Sequence, residues 1–267
     1  MTTLDTVSAS KARVRAPHQP IPLARIVTTE LRKMFNTRSG FGLLASIGIL
    51  ALLATAAVIL FASHDQLTYS AFTSAINIPM TVILPVIAIL SVTGEWSQRT
   101  GLTTFTLVPH RGRVIAAKAF ASVGVAVVTV PLAFGIGALG NLVGTGIAGI
   151  DPVWDLTVLN LATIVLANVL SVLFGFMLGL VIRNSVGALV AYFVYQFLLP
   201  TLSLILAASQ HWFRDLQPWV DFDYAQSALF NGALTTQQWT HLAFTTTVWL
   251  IIPMTIGLTL VRKAEVK

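Results

Sequence analysis

The groups in this sequence that could carry chemistry crowd into one stretch, Gly94 to Lys118, which reads GEWSQRTGLTTFTLVPHRGRVIAAK. Elsewhere the reactive inventory is thin. The chain contains no Cys, which excludes disulfides, thiolate zinc sites and thiol nucleophiles. No HExxH or paired-Glu pattern lies within an apolar run, and His64, His110, His211 and His241 fall at or beyond the ends of those runs. A metalloprotease or a Ser-His hydrolase needs such groups to converge, so enzyme chemistry and a resident metal or cofactor are not expected. Gly135 to Gly140 spells GxGxxG, yet a dinucleotide site needs a strand before that motif and a soluble helix after it. Here it closes an apolar run, where close helix packing or a flexible exit is the better account. A Walker A phosphate loop is absent as well.

Within the dense stretch the residues follow a physical order. Glu95 ends one apolar run, Gly101 permits a turn, Thr103 to Val108 is short and half apolar, and Pro109 with Gly112 closes it. Arg111, Arg113 and Lys118 then open the next run with positive charge. The plain reading is a basic loop. The other reading is a docking segment, because Leu102, Phe105, Leu107 and Val108 would face water unless a partner covers them.

The elements around this stretch follow from composition. With 55% hydrophobic residues, 10% charged residues and a mean hydropathy of +0.82, the 267-residue chain is expected to be an all-α membrane protein. Six spans are expected, at about 41–62, 76–93, 114–139, 156–182, 186–208 and 241–261. Residues 1–22 are polar, basic and punctuated by Pro, with no apolar signal core, and read as a flexible cytoplasmic tail.

Leu23 to Arg38 reads as an amphipathic interfacial helix, with Leu23, Ile26, Val27, Leu31, Met34 and Phe35 on one face and Arg25, Arg32 and Lys33 on the other. Glu30 breaks that pattern. It falls inside the apolar stripe, so it either takes a partner such as a buried Arg or a backbone donor, or snorkels at the stripe's edge.

Pro79 and Pro85 are expected to bend the second span, and Pro200 interrupts the fifth. Gly140 to Asp155 reads as a glycine-rich turn, and Gly175 with Gly179 gives a GxxxG spacing suited to close helix packing. Ser209 to Thr240 mixes Trp, Phe and Tyr with Asp and Arg, as expected of short helices at the outer interface.

Lys and Arg set the orientation: all but Arg214 fall at the ends or in alternate connections, which places both termini in the cytoplasm by the positive-inside rule. Because the cations sit at the ends of apolar runs, the pI of about 10.1 speaks for topology, and a nucleic-acid partner is not expected. Asp65, Asp151, Asp155, Asp215, Asp221 and Asp223 then lie outside, and the span interiors are expected to hold no ionisable group. A membrane part of that kind takes its energy from elsewhere. Asn160, Asn168 and Gln196 are the polar groups left inside, suited to interhelix hydrogen bonds or, less directly, to solute contact.

Taken together, ELRKMF, then E-x3-R-T-G-L-T-T-F-T-L-V-P-x-R-G-R-V-x3-K, then LVIRNSVGAL and a basic tail after the last span resemble the permease subunits of type-2 ABC transporters. The resemblance spans residues 23–267. It implies a permease subunit in a bacterial inner membrane, paired as a homodimer or heterodimer and driven by a separate cytoplasmic ABC ATPase that binds ATP and Mg. It further implies export of an amphipathic or hydrophobic solute such as a drug, antibiotic, peptide or lipid. On this reading Glu95, Arg99, Gly101, Phe105, Leu107, Pro109 and Arg113 belong to the coupling segment. Glu30, Arg32 and Lys33 belong to the connecting helix, Pro85, Asn168 and Gln196 would line the path, and Ser209 to Thr240 would be external re-entrant helices that cap it. Glu95 would anchor against Arg99 or Arg183. The rival is an integral-membrane sensor or assembly protein that transports nothing.

Overall fold

The structure, a computed structural model, describes residues 22–97 and 111–263, and at 38–39, 95–97, 111 and 262–263 the backbone only. The described residues are helical throughout apart from short connections, and six helices are long and apolar enough to cross a membrane. The chain is an all-α, multi-pass membrane protein. In hydrocarbon every backbone N–H and C=O must be satisfied within the chain, and long helices do this without help from water.

Helix α1 (Leu23–Asn36) precedes the spans α2 (Arg38–Phe61), α3 (Tyr69–Ser97), α4 (Arg111–Ala148) and α5 (Val158–Ile182). The fifth span, α6, runs Ser185–Phe193, passes through a π turn at Val194–Leu198 and continues as Leu199–Ser209. Short helices α7 (His211–Val220) and α8 (Phe222–Ser227) follow. The last span, α9, runs Thr236–Thr246, a π turn at Thr247–Ile251, then Ile252–Lys263. Each π turn stands just ahead of a proline, Pro200 and Pro253, whose missing N–H cannot close the usual helical bond.

Local sequence explains where the helices start and stop. Thr37, Thr157 and Asn184 each accept a hydrogen bond from the backbone N–H three residues on, and Thr235 forms a capping box with Gln238. The N-terminus of α3 is capped from elsewhere: Asp155 accepts from the Ser70 N–H at 2.8 Å and from its hydroxyl. Val153 pairs with Thr68 in the same place, its carbonyl accepting from the Tyr69 N–H and from Asn141 Nδ2, both at 3.0 Å. The α2–α3 and α4–α5 connections are thereby tied together at the end of the bundle opposite α1.

Two of the expected boundaries are corrected. The supposed glycine-rich turn from Gly140 is helix as far as Ala148, and the chain breaks only at Gly149, whose φ of +67° suits glycine. Gly137, Gly140 and Gly144 lie against Thr55, Phe72 and their neighbours, so α4 is held helical by close packing on α2 and α3. Packing overrides the local glycine penalty there. Likewise α3 starts at Tyr69, within the connection expected to run to Ala75, because Asp155 caps it.

The centre of the bundle is α5, which is in contact with α3, α4 and α9. Its glycines make the closest approach: a Cβ at Gly175 would come within 2.8 Å of Pro85 Cβ and O, and one at Gly179 would lie 3.3 Å from Ile89 O. The expected role of the GxxxG spacing holds, since small residues let backbones approach and packing takes the place of the hydrophobic effect in lipid. One buried cluster, including Met34, Ile76, Leu84, Ile115, Val130 and Phe176, joins α1 to α5. A second, with Phe174, Tyr192, Phe222, Leu229 and Leu250, joins α5, α6, α8 and α9.

Candidate functional site

At the α1 end, the stripe that α1 buries is Ile26, Glu30 and Met34, one residue per turn, while Phe35 is exposed. Glu30 is thus at the centre of the buried face, 4% exposed. Its partners are lysines rather than an Arg or a backbone donor. Lys118 Nζ donates to Oε2 at 2.6 Å and Lys33 Nζ to Oε1 at 2.7 Å. Lys118 also donates to the Ser91 carbonyl at 3.0 Å, so a single ammonium ties α1, α3 and α4 together. Burial opposes ionisation of Glu30, but the charges and hydrogen bonds of Lys118 and Lys33 outweigh it and hold the carboxyl below its ordinary value.

This corrects the expectation of spans free of ionisable groups, because Lys118 lies two turns inside α4 and is 5% exposed. The sequence offered one clue, an acid in the apolar stripe of α1. It could not show which cation would meet it 88 positions away.

Arg32 is exposed on α1 and Arg113 half-buried in the first turn of α4. The backbone of Glu95 is in the last turn of α3. Its side chain, together with Arg99, Gly101, Phe105, Leu107 and Pro109, lies outside the described residues. Arg183, proposed as a partner for Glu95, closes α5 in the left-handed conformation at φ 56°, and its Nε is buried without a hydrogen-bond partner among the described residues.

Toward the middle of the bundle a groove of 790 Å³ opens between α2, α3 and α6. Leu50, Leu53, Ile78, Pro79, Ile83 and Phe197 make it apolar, and Asn77, Thr81 and Gln196 are its polar groups. That size and lining suit a small amphipathic ligand. Of the three residues expected to line a path, only Gln196 faces this space. Pro85 is buried against Gly175, and Asn168 is 1% exposed, donating to Asn77 Oδ1 and the Ile164 carbonyl at 2.9 Å each. Asn168 therefore serves the interhelix bonding, and its partner Asn77 is the residue that reaches the groove. Asn160 belongs to the start of α5, where it pairs with Thr157.

The segment between α6 and α9 carried two expectations, helices lying at the interface or external helices that re-enter the bundle. In the structure α7 and α8 dip into the bundle. Gln226 Nε2 donates to the Ala167 carbonyl at 2.8 Å and to Ser171 Oγ at 2.7 Å. Ser171 is about 20 Å along α5 at the helical rise. Trp249, a similar distance along α9, donates from Nε1 to the Val220 carbonyl at 2.8 Å. This re-entrant pair carries Asp221 and Asp223 inward, where they line a chamber of 310 Å³ between α6, α7, α8 and α9. Asp223 also borders a polar cavity of 50 Å³ with Thr81, Ser171, Gln196 and Gln226. Hydropathy alone assigned Asp223 to the outside; only the fold-back of α8 places it among mid-bundle residues. His241 is also deeper than expected, since α9 begins at Thr236, and its ring packs edge-on against Trp219.

No protein-family model matches the sequence, and no curated protein sequence matches it.

Proposed function

We propose that this chain is the membrane-spanning permease subunit of an ATP-driven exporter in a bacterial inner membrane. It pairs with a second permease subunit, and a separate cytoplasmic ABC ATPase drives it. The observation that carries the reading is the latch at the α1 end. An amphipathic helix of the interfacial type is fixed by Glu30 and Lys118 to the ends of α3 and α4, which are the two helices that flank the segment 98–110. Force applied to that segment passes directly into α3 and α4, and α3 is packed backbone to backbone on α5. The apolar groove on α2, α3 and α6 provides half of a path, which the second subunit completes, and its lining suits an amphipathic or hydrophobic solute.

The test is co-purification with a co-expressed candidate ABC ATPase, with Phe105 or Leu107 changed to Asp. Association and ATP turnover should both fall. Undiminished association and turnover in both variants would overturn the coupling role. Stable association without any effect on turnover or export in the unaltered protein would favour an assembly or sensor role instead.

A further inference from the structure

Two carboxylates enter the chamber between α6 and the re-entrant helices, and they are not equivalent. Asp221 is satisfied: it caps α8 by accepting from the Tyr224 N–H at 3.1 Å and accepts from Ser203 Oγ. Asp223, two residues further on, receives no hydrogen bond and no cation among the described residues, although it is partly buried. Burial and the nearby Asp221 push its carboxyl up to about 6. Beside it the Tyr195 hydroxyl is buried and has no hydrogen-bond partner. Among the described residues no Lys or Arg lines the chamber, and Arg214 is turned away to the Ala207 and Ala208 carbonyls.

The remaining walls are mostly apolar and aromatic, with Phe213, Phe222 and Trp249 lining the same chamber. A bare acid with an unsatisfied hydroxyl in an aromatic chamber has one chemical complement: a single positive centre on an apolar body. Aromatic faces attract such a centre as the carboxylate does. A hard metal ion would find too few oxygens and too much hydrocarbon. We propose that this chamber binds an amphipathic organic cation, its nitrogen beside Asp223 and its apolar body against Phe213, Phe222 and Trp249. The volume of 310 Å³ limits that body to one or two rings. That the cation is the exported solute rests on the permease reading; that it binds does not.

The probe is radiolabelled benzyltrimethylammonium, with neopentylbenzene as its neutral isostere, measured as saturable binding to the full chain in phosphatidylcholine nanodiscs without any ATPase. Asp223→Asn should weaken saturable binding of the cation at least about tenfold. Leu202→Trp, which fills the chamber and leaves the carboxylate, should abolish it. Because the ligand's charge is fixed, its affinity should fall as pH drops from 7.5 to 5. The titratable groups that interact with Asp223 are Asp221 and, from α6, Tyr192 and Tyr195, while α3 and α5 present the neutral Thr81 and Ser171. Equal saturable binding of the neutral isostere, or cation binding unchanged in Asp223→Asn or in Leu202→Trp, would overturn the proposal. Since no ATPase is present, such a failure leaves the coupling role untouched, and failure of the coupling test leaves this site untouched.

Discussion

Removing both members of the latch, Glu30 and Lys118, should cost clearly less than the two single losses added together. Both side chains are about 5% exposed and their charged atoms are 2.6 Å apart. A buried charge left alone by loss of its partner typically costs about 3–5 kcal/mol. In Lys118→Met, Glu30 keeps Lys33, whose side chain is 46% exposed and contributes no more than about 1 kcal/mol. That substitution should therefore destabilise by about 2–4 kcal/mol. Glu30→Gln keeps an amide oxygen for Lys118 but no charge, and about 2–3 kcal/mol is expected. The double variant Glu30→Gln/Lys118→Met buries no ion at this point and should cost less than the sum of the two, with a coupling of about 2 kcal/mol or more. Reversible unfolding in mixed micelles with increasing SDS, followed by tryptophan fluorescence, measures all three. Because the folded carboxyl lies below its ordinary value, the stabilisation should be fully present above about pH 4.5 and lost as pH falls through the folded value. Additive single effects, or a Lys118→Met cost below about 0.5 kcal/mol, would refute the idea that the pair is a buried latch.

Other perturbations separate packing, hydrogen bonding and charge. Gly175→Ala drives a methyl into Pro85 and should destabilise by about 1–3 kcal/mol, whereas Gly42→Ala meets nothing within 4 Å and should be neutral or stabilising by up to about 1 kcal/mol, both read by the same unfolding assay. Asn168→Leu should cost about 0.6–2 kcal/mol by losing the bond to Asn77, and the loss should vanish in an Asn77→Leu background. Asp155→Ala removes the remote cap of α3 and should speed hydrogen exchange at the Tyr69 and Ser70 amides while leaving the middle of α3 protected. Asp223 should show the opposite pH sign to Glu30. Its raised value favours the neutral form, so its contribution is largest below about pH 3.8 and is lost as pH rises through about 6; Asp223→Asn should stabilise the protein at pH 7.5 by about 1–3 kcal/mol.

Hydropathy made the six spans, the amphipathic helix and the anomaly of Glu30 legible, because each depends on local pattern. What it missed depends on contact at a distance. The helical continuation of α4 through Gly140 and Gly144 is decided by Phe72 and Thr55, residues of other helices. The partner of Glu30 is a lysine that the charge count treated as a marker of topology. The depth of Asp223 is decided by Gln226 reaching Ser171, and a short polar helix that dips into the bundle reads in sequence like one that lies on its surface. Gln196 was placed among polar interior groups correctly, but Tyr195 beside it carried no sequence signal, since a tyrosine in a span is ordinary until its hydroxyl is found without a partner.

The π turns of α6 and α9 give both helices one residue of slack. A π turn holds an extra residue, and if that excess moves one position along the helix, the residue it passes turns about 100° about the axis and shifts about 1.5 Å. The ends of the helix stay where they are. Tyr195 and Gln196 sit in one π turn and Trp249 in the other, so the residues free to turn are those that wall the chamber and the groove. Pro200 and Pro253 lack the N–H that would reward tightening either turn. The protein thereby holds two rotary adjustments at the level of its cavities that require neither unwinding a span nor sliding it through the membrane.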